Sequence, residues 1–382
     1  MIHTSERRLG LLMLAAAAGT NVPTPLLLVY REQLHMSSTS VTALFGVYAL
    51  GLMPAVAFAG PAADRWGRRR VALPAALFCA LTSLLYVTVA HHEPLLFLVR
   101  FLQGAGAGAV FTVGSAWLVE AALRERSTSG PRTAAVTMTG GFAIGPAVAG
   151  LIGQWGPWPL VLPYLIHVVA LLLAVIAART VGETLASRAD GHAGRPRTRA
   201  FRPGRLRTAV LVVAPLAVCV YAFPASAIAG VPVLIGFPVA PVALTGLLAG
   251  ITLGAGSLTA PLQARLGPRT APVAAACGLV GFAGTALAAA VSPLLLLAVP
   301  SAVVLGAGGG LALAGGLARL PTIASEGRLG TVSAAFYACA YIGFGVPLLL
   351  AALATVADVA VWLTVLALAC GALVVQQARA RL

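Results

Sequence analysis

The chain contains no lysine, and only ten of its 382 residues are acidic. Charged residues make up 9% of it, where a soluble domain carries about 25%. That scarcity excludes a water-soluble globule built around one core. All 25 basic residues are arginine, and the net charge is +15. In a soluble chain such a balance would point to nucleic acid; here the placement of the arginines gives a better reason, and no nucleic-acid partner is expected. The five cysteines (Cys79, Cys219, Cys277, Cys339 and Cys370) are isolated within apolar runs, which excludes a metal or disulfide framework and leaves packing thiols. Neither a phosphate-binding glycine loop nor a nucleophile constellation is present. The chain is therefore not expected to be an enzyme, and it needs no cofactor or metal.

What is abundant is apolar. Hydrophobic residues make up 59% of the sequence, and the mean hydropathy is +0.95. Twelve apolar runs fall near 9–30, 41–62, 71–90, 94–119, 133–156, 158–179, 208–232, 241–262, 271–290, 293–318, 331–353 and 356–377. Each is close to the ~20 residues that cross a bilayer, and backbone in lipid must bond internally, so the runs predict helices. The expected fold class is an all-α membrane protein with twelve transmembrane helices in two pseudo-symmetric six-helix bundles. If the loops are numbered alternately, every arginine except Arg31 and Arg100 falls on the side of the N-terminus. The positive-inside rule makes that side the cytoplasm, with both termini there. The expected location is the plasma (inner) membrane.

The longest polar stretch, 180–206, is rich in Arg, Pro and Gly. It reads as a cytoplasmic linker between an N-terminal bundle, 1–179, and a C-terminal bundle, 207–382. The halves echo each other. Pro61, Arg65, Gly67 and Arg69 recur as Pro261, Arg265, Gly267 and Arg269, and Gly104-Ala-Gly-Ala-Gly108 recurs as Gly306-Ala-Gly-Gly-Gly310. Parallel six-helix repeats of this kind are one transporter architecture.

In these motifs the chain resembles the major facilitator superfamily along its whole length. Gly60, Asp64, Arg65, Gly67, Arg68 and Arg69 match the family's loop between spans two and three, with Ala62 at its Leu position. Arg100, Gln103, Gly104 and Gly106 match its fourth-span pattern, and Gly141, Gly145, Pro146 and Gly150 match a fifth-span pattern associated with drug–proton antiporters, with Ala149 replacing a Gly. Glu183-Thr184 partly matches a motif after the sixth span. The resemblance implies a monomeric secondary transporter working by alternating access, with a small-molecule substrate, protons as coupling ion and export favoured. A proton-coupled importer of a sugar or organic anion, with Arg100 as the anion's partner, is the alternative within transport. A non-transporting ligand sensor is the alternative outside it.

The residues themselves give further expectations. Arg100 lies too deep in its span for the surface, at a cost of roughly 2.5–3.5 kcal/mol near mid-span, and should face the bundle interior or a wet cavity with Gln103. Asn21 and Thr24, among Pro23 and Pro25, should loosen the first span and line a cavity. His167 is a titratable candidate or a bonded structural residue; Tyr221 is a weaker cavity candidate, with Tyr48, Tyr337 and Tyr341. Gly141, Gly145 and Ala149 form a smooth stripe expected to face a matching stripe of Gly246, Gly250 and Gly254, and Pro146 should bend its helix. No carboxylate lies at mid-span. Asp64 is expected to latch onto the start of the eleventh span near Thr331 and Ser333, while one of Arg65, Arg68 or Arg69 reaches Glu120.

Overall fold

The computed structural model describes residues 4–184, 205–291, 296–325 and 329–380. Most of the expected linker, 185–204, therefore lies outside the described residues. Among those described, ten helical stretches are long and apolar enough to cross a membrane, and Leu162–Ala178 is a shorter apolar helix. The longest stretch, Pro241–Ala290, has 50 residues and covers two expected spans, divided near Gly267, whose φ is 53°. In chain order the helices are α1 Thr4–Leu34, α2 Ser38–Trp66, α3 Arg68–Thr88, α4 Glu93–Arg124, α5 Gly130–Trp155 and α6 Leu162–Ala178. They continue as α7 Leu206–Leu234, α8 Pro241–Thr259, α9 Thr270–Ala290, α10 Ala298–Ile323, α11 Thr331–Leu353 and α12 Val359–Arg379. No β-strand occurs among the described residues. Large apolar side chains face outward, Leu173 at 62% and Leu368 at 67% exposure. An outer surface of that kind needs lipid.

Two boundaries differ from the sequence reading. The stretch Gly60–Arg70, expected as a loop, is helical except at Gly67, where φ is 103°. Ala62, Ala63 and Arg65 are good helix formers, so only the left-handed glycine interrupts the chain. α6 begins at Leu162, four residues late, because Pro157 and Pro159 flank Trp158, whose φ is 50°. The helix α5 runs continuously through Pro146.

The chain forms two compact units: Met1–Ser187 with Pro238–Gly250, and Arg188–Phe237 with Ile251–Leu382. The first half of α8 thus packs with α1–α6. In the first unit, Leu9, Leu12 and Met13 of α1 meet Val110, Val113 and Trp117 of α4, with Ala72, Ala76 and Ala80 of α3 alongside. Small residues let these helices approach closely where apolar burial alone gives no drive in lipid. Glu6, wholly buried at the start of α1, accepts hydrogen bonds from Ser127 (3.1 Å), Ser129 (2.7 Å) and Thr133. It ties the start of α1 to the start of α5.

The repeat seen in sequence has a packing counterpart inside each unit. A β-carbon on Gly104 would fall on the Tyr48 carbonyl, and one on Gly306 would fall on that of Thr252. Gly108 and Gly310 are likewise pressed against the carbonyls of Leu52 and Gly256. The second and fourth helices of each repeat therefore cross backbone to backbone, and the glycines exist for that approach.

Candidate functional site

The first unit buries a polar network that begins with a defect in α1. Pro23 has no N–H to offer the Gly19 carbonyl one turn back, and the helix is broken at Val22. Gln103 Nε2 donates to that Gly19 carbonyl at 2.8 Å, and Arg100 Nη1 donates to the Thr20 carbonyl at 3.0 Å. Arg100 Nη1 also donates to Gln103 Oε1 at 2.7 Å. A guanidinium with 1% exposure is thus held by the unwound turn of another helix. The Phe45 and Tyr48 rings lie 5.8 and 4.9 Å from its central carbon, close enough for cation–π attraction. Its Nε has no partner, and no carboxylate among the described residues pairs with it.

The network extends through Tyr86, Tyr164 and Tyr30, which the sequence reading misses, and beside it lie Ser83, also missed, and the expected candidate His167. Tyr86 donates to Gln103 Oε1 at 3.2 Å and stacks on Tyr164, with centroids 4.8 Å apart. The hydroxyls of Tyr164 and Tyr30 lie 3.0 Å apart. His167 is 5% exposed, with Ser83 Oγ 2.7 Å from Nδ1 and the Ala15 carbonyl 3.1 Å from Nε2. A carbonyl only accepts, so Nε2 carries the proton and Nδ1 accepts from the serine, an arrangement that suits a neutral ring. Both nitrogens are occupied, which gives His167 a structural place. A sequence signal was available: Ser83/Tyr86, Arg100/Gln103 and Tyr164/His167 are each polar pairs three residues apart on apolar helices, hence on one face.

Asn21 and Thr24 repair the break locally. Thr24 Oγ1 donates to Asn21 Oδ1 and Asn21 Nδ2 to Thr20 Oγ1, both at 3.3 Å. Thr24 is 2% exposed, so its hydroxyl faces protein. Tyr221 lies in the second unit, half-buried, stacked on Phe344 at 4.7 Å and Tyr341 at 5.3 Å.

A charged cluster sits at the arginine-rich end of the first unit. Arg68 pairs with Asp64 at 2.7 Å and with Glu120 at 3.2 Å. Thr184 Oγ1 donates to the second Glu120 oxygen at 2.6 Å. Glu183, 115 residues from Arg68, accepts from the backbone N–H groups of Arg68 (2.8 Å) and Arg69 (3.0 Å), capping α3 where Gly67 interrupts the chain. A β-carbon on Gly67 would strike that carboxylate. Arg124 donates to the carbonyls of Glu183 and Thr184, and Trp117 to that of Gly182. Residues 180–184, expected as the start of a loose linker, are therefore strapped to the unit. Asp64 is half of an ion pair within its own unit, and Arg65 lies over Trp66 at 6.0 Å. Gly60 has open space, its nearest neighbour for a β-carbon being the Thr112 methyl at 3.9 Å. Removal of the Glu183 cap, as in Glu183→Ala, is expected to cost about 1–2 kcal/mol. It should lower the midpoint of thermal unfolding in detergent; an unchanged midpoint would show that the strap carries no stability.

The expected glycine seam is corrected in its pairing. Gly141 and Gly145 pack against the Leu14 and Ala18 carbonyls of α1, and Gly254 has nothing within 4 Å of a β-carbon. Gly246 instead abuts the Pro146 carbonyl and Gly150, and Gly250 abuts the Ala143 carbonyl. Gly141 and Gly145 face α1 while Pro146 and Gly150 face α8, and the sequence does not say which helix takes which face of α5. Gln154 Oε1 accepts from the N–H of Val242 at 3.0 Å, fixing the start of α8 on the end of α5.

A family model described as Major Facilitator Superfamily matches residues 9–347. The chain is 32% identical over 190 residues to the multidrug resistance protein MdtL of Shewanella sp. strain ANA-3, covering 47% of this chain and 46% of that protein. It is 31% identical over 147 residues to the MFS-type transporter YfiU of Bacillus subtilis strain 168, covering 37% and 27%. Less than half the length of these relatives is thus matched. The fold is similar to that of the nucleoside transporter NupG, with a TM-score of 0.76 at 14% identity, covering 98% of each chain. It is also similar to a D-xylose–proton symporter, with a TM-score of 0.67 at 17% identity, covering 97% and 95%.

Proposed function

The chain belongs to the major facilitator superfamily, and from that premise we propose that it is a secondary transporter working by alternating access, exporting a small lipophilic compound in exchange for protons. The observation that carries this reading is Arg100, a buried cation bonded to the unwound turn of α1. A charge in that place costs several kcal/mol and is retained in membrane helices for substrate or ion pathways. It also couples the two: any change at the α1 break alters what Arg100 and Gln103 can bond. The relatives named for multidrug resistance support export. The driving force would be an ion gradient, worth about 2.3 kcal/mol per charge per 100 mV. The Arg68 cluster would serve as a gate, its pairs with Asp64 and Glu120 reorganising as the conformation changes. We place both termini in the cytoplasm and the protein in the plasma membrane as a monomer, on the strength of the arginine distribution.

One observation favours a second reading. Arg100 has an unpartnered Nε and no carboxylate, so an organic anion is the alternative cargo. Purified protein in liposomes with an imposed pH gradient distinguishes the two. Movement of lipophilic dyes against proton flow supports export, whereas accumulation of an organic anion with protons supports import. Binding without movement of either would leave a ligand sensor.

A further inference from the structure

The second unit carries an open-sided groove of about 490 Å³ between α7 and α12. Val218, Ala222 and Phe223 line one wall and Leu366, Ala369 and Leu373 the other. From Leu366 to Gln376 the α12 wall spans ten residues, about 15 Å of helix. That is half the ~30 Å hydrocarbon thickness of a bilayer, the depth reached by the acyl chains of one leaflet.

The groove has one polar end. There Gln376 Nε2 donates to the Leu211 carbonyl at 2.7 Å and Gln377 Nε2 to that of Val212 at 2.8 Å. Both carbonyls belong to a π-helical turn, Ala209–Val213, a register that loosens the ordinary helix ladder. Arg319, 9% exposed, donates to Gln377 Oε1 and holds it in place. One turn beyond this closure on α7 lies Arg207, and about one turn beyond it on α12 lies Arg379. Both are exposed, as is Arg205. The acidic residue described in this unit is Asp358, which caps the opposite end of α12. The basic end of the groove therefore has no carboxylate beside it among the described residues.

We propose that this groove is a binding site for an anionic phospholipid: one acyl chain lies between α7 and α12, and the headgroup phosphate is held by Arg207 and Arg379. An arginine near an anionic membrane surface contributes about 1 kcal/mol, and a phosphate matches the guanidinium fork. An apolar slot one leaflet deep with cations at its mouth fits a lipid better than a transported compound, which needs a route to the other side. The groove belongs to the second unit and the Arg100 network to the first, so its failure would leave the transport reading untouched.

The test is competitive lipid retention. The purified full chain is exchanged into detergent with equal phosphatidylglycerol and phosphatidylcholine, and bound lipid is counted by native mass spectrometry. Wild type should retain phosphatidylglycerol about tenfold over phosphatidylcholine, a gap worth ~1.4 kcal/mol. Arg207→Gln with Arg379→Gln should bring the ratio at this site towards parity. Leu373→Trp, which fills the groove, should remove one bound lipid while leaving the arginines in place; Ala369→Trp is the second variant if that one misfolds. Parity in wild type, or a preference unchanged in the arginine double variant, overturns the headgroup half. Full lipid count in both groove-filling variants, or displacement of the lipid by millimolar inorganic phosphate, overturns the acyl half. Displacement by a transported dye at transport concentrations assigns the groove to cargo and overturns the proposal.

Discussion

Arg100→Met is expected to abolish coupled transport in liposomes, with initial rates falling roughly 100-fold. The figure follows from the bonds lost. Arg100 Nη1 donates to the Thr20 carbonyl and to Gln103 Oε1, and a hydrogen bond from a charged donor contributes about 1.5–3 kcal/mol. Two such bonds lost without replacement amount to about 3–6 kcal/mol, and at ~1.4 kcal/mol per factor of ten the lower end of that range is about 100-fold. Methionine fills a similar volume, which separates loss of charge and bonding from loss of packing. Arg100→Lys keeps the charge but replaces a planar fork with a point donor, so it should retain part of the rate. Wild-type transport by Arg100→Met would remove Arg100 from the mechanism. A misfolded variant is recognised by a changed elution profile before any rate is read.

The second large effect is structural. Gly104→Ala should destabilise the first unit severely, because its β-carbon would fall on the Tyr48 carbonyl of α2. The obstacle is backbone, which moves only if the whole crossing opens, so the upper part of the ~1–3 kcal/mol overpacking range applies. Gly306→Ala should do the same in the second unit through the Thr252 carbonyl. Gly60→Ala is the matched control, since its site is open, and it should leave the unfolding midpoint within a degree or two. Equal midpoints for Gly104→Ala and Gly60→Ala would contradict the close-crossing account of the repeat.

Much of this architecture is legible in the chain. Apolar run length gives the helices because lipid offers the backbone no alternative partner, and Arg100 stands out because its charge has no cheap place inside an apolar run. The proline-rich break near Asn21 is readable for the same reason: Pro23 withdraws a donor from a buried carbonyl. What is not legible is which helix answers each demand. Nothing in the order of residues says that Gln103 serves the Gly19 carbonyl, that Glu183 caps α3 across 115 residues, or that Gly141 and Gly145 belong to α1. The charges of the Gly60–Arg70 stretch suggest a loop, while its helix formers and its one left-handed glycine decide the backbone. Glu6 passed unnoticed because a carboxylate near a terminus reads as solvated, although three hydroxyls from the α4–α5 connection and the start of α5 bury it.

The proposed transport moves a compound outward against entering protons, with Arg100 taking part. Everted membrane vesicles energised to an acid interior measure it directly, with a lipophilic dye and a pH indicator read together. The account predicts dye uptake accompanied by partial loss of the pH gradient in wild type, and neither in Arg100→Met. Dye uptake with an undisturbed gradient, or equal uptake by the variant, would contradict it.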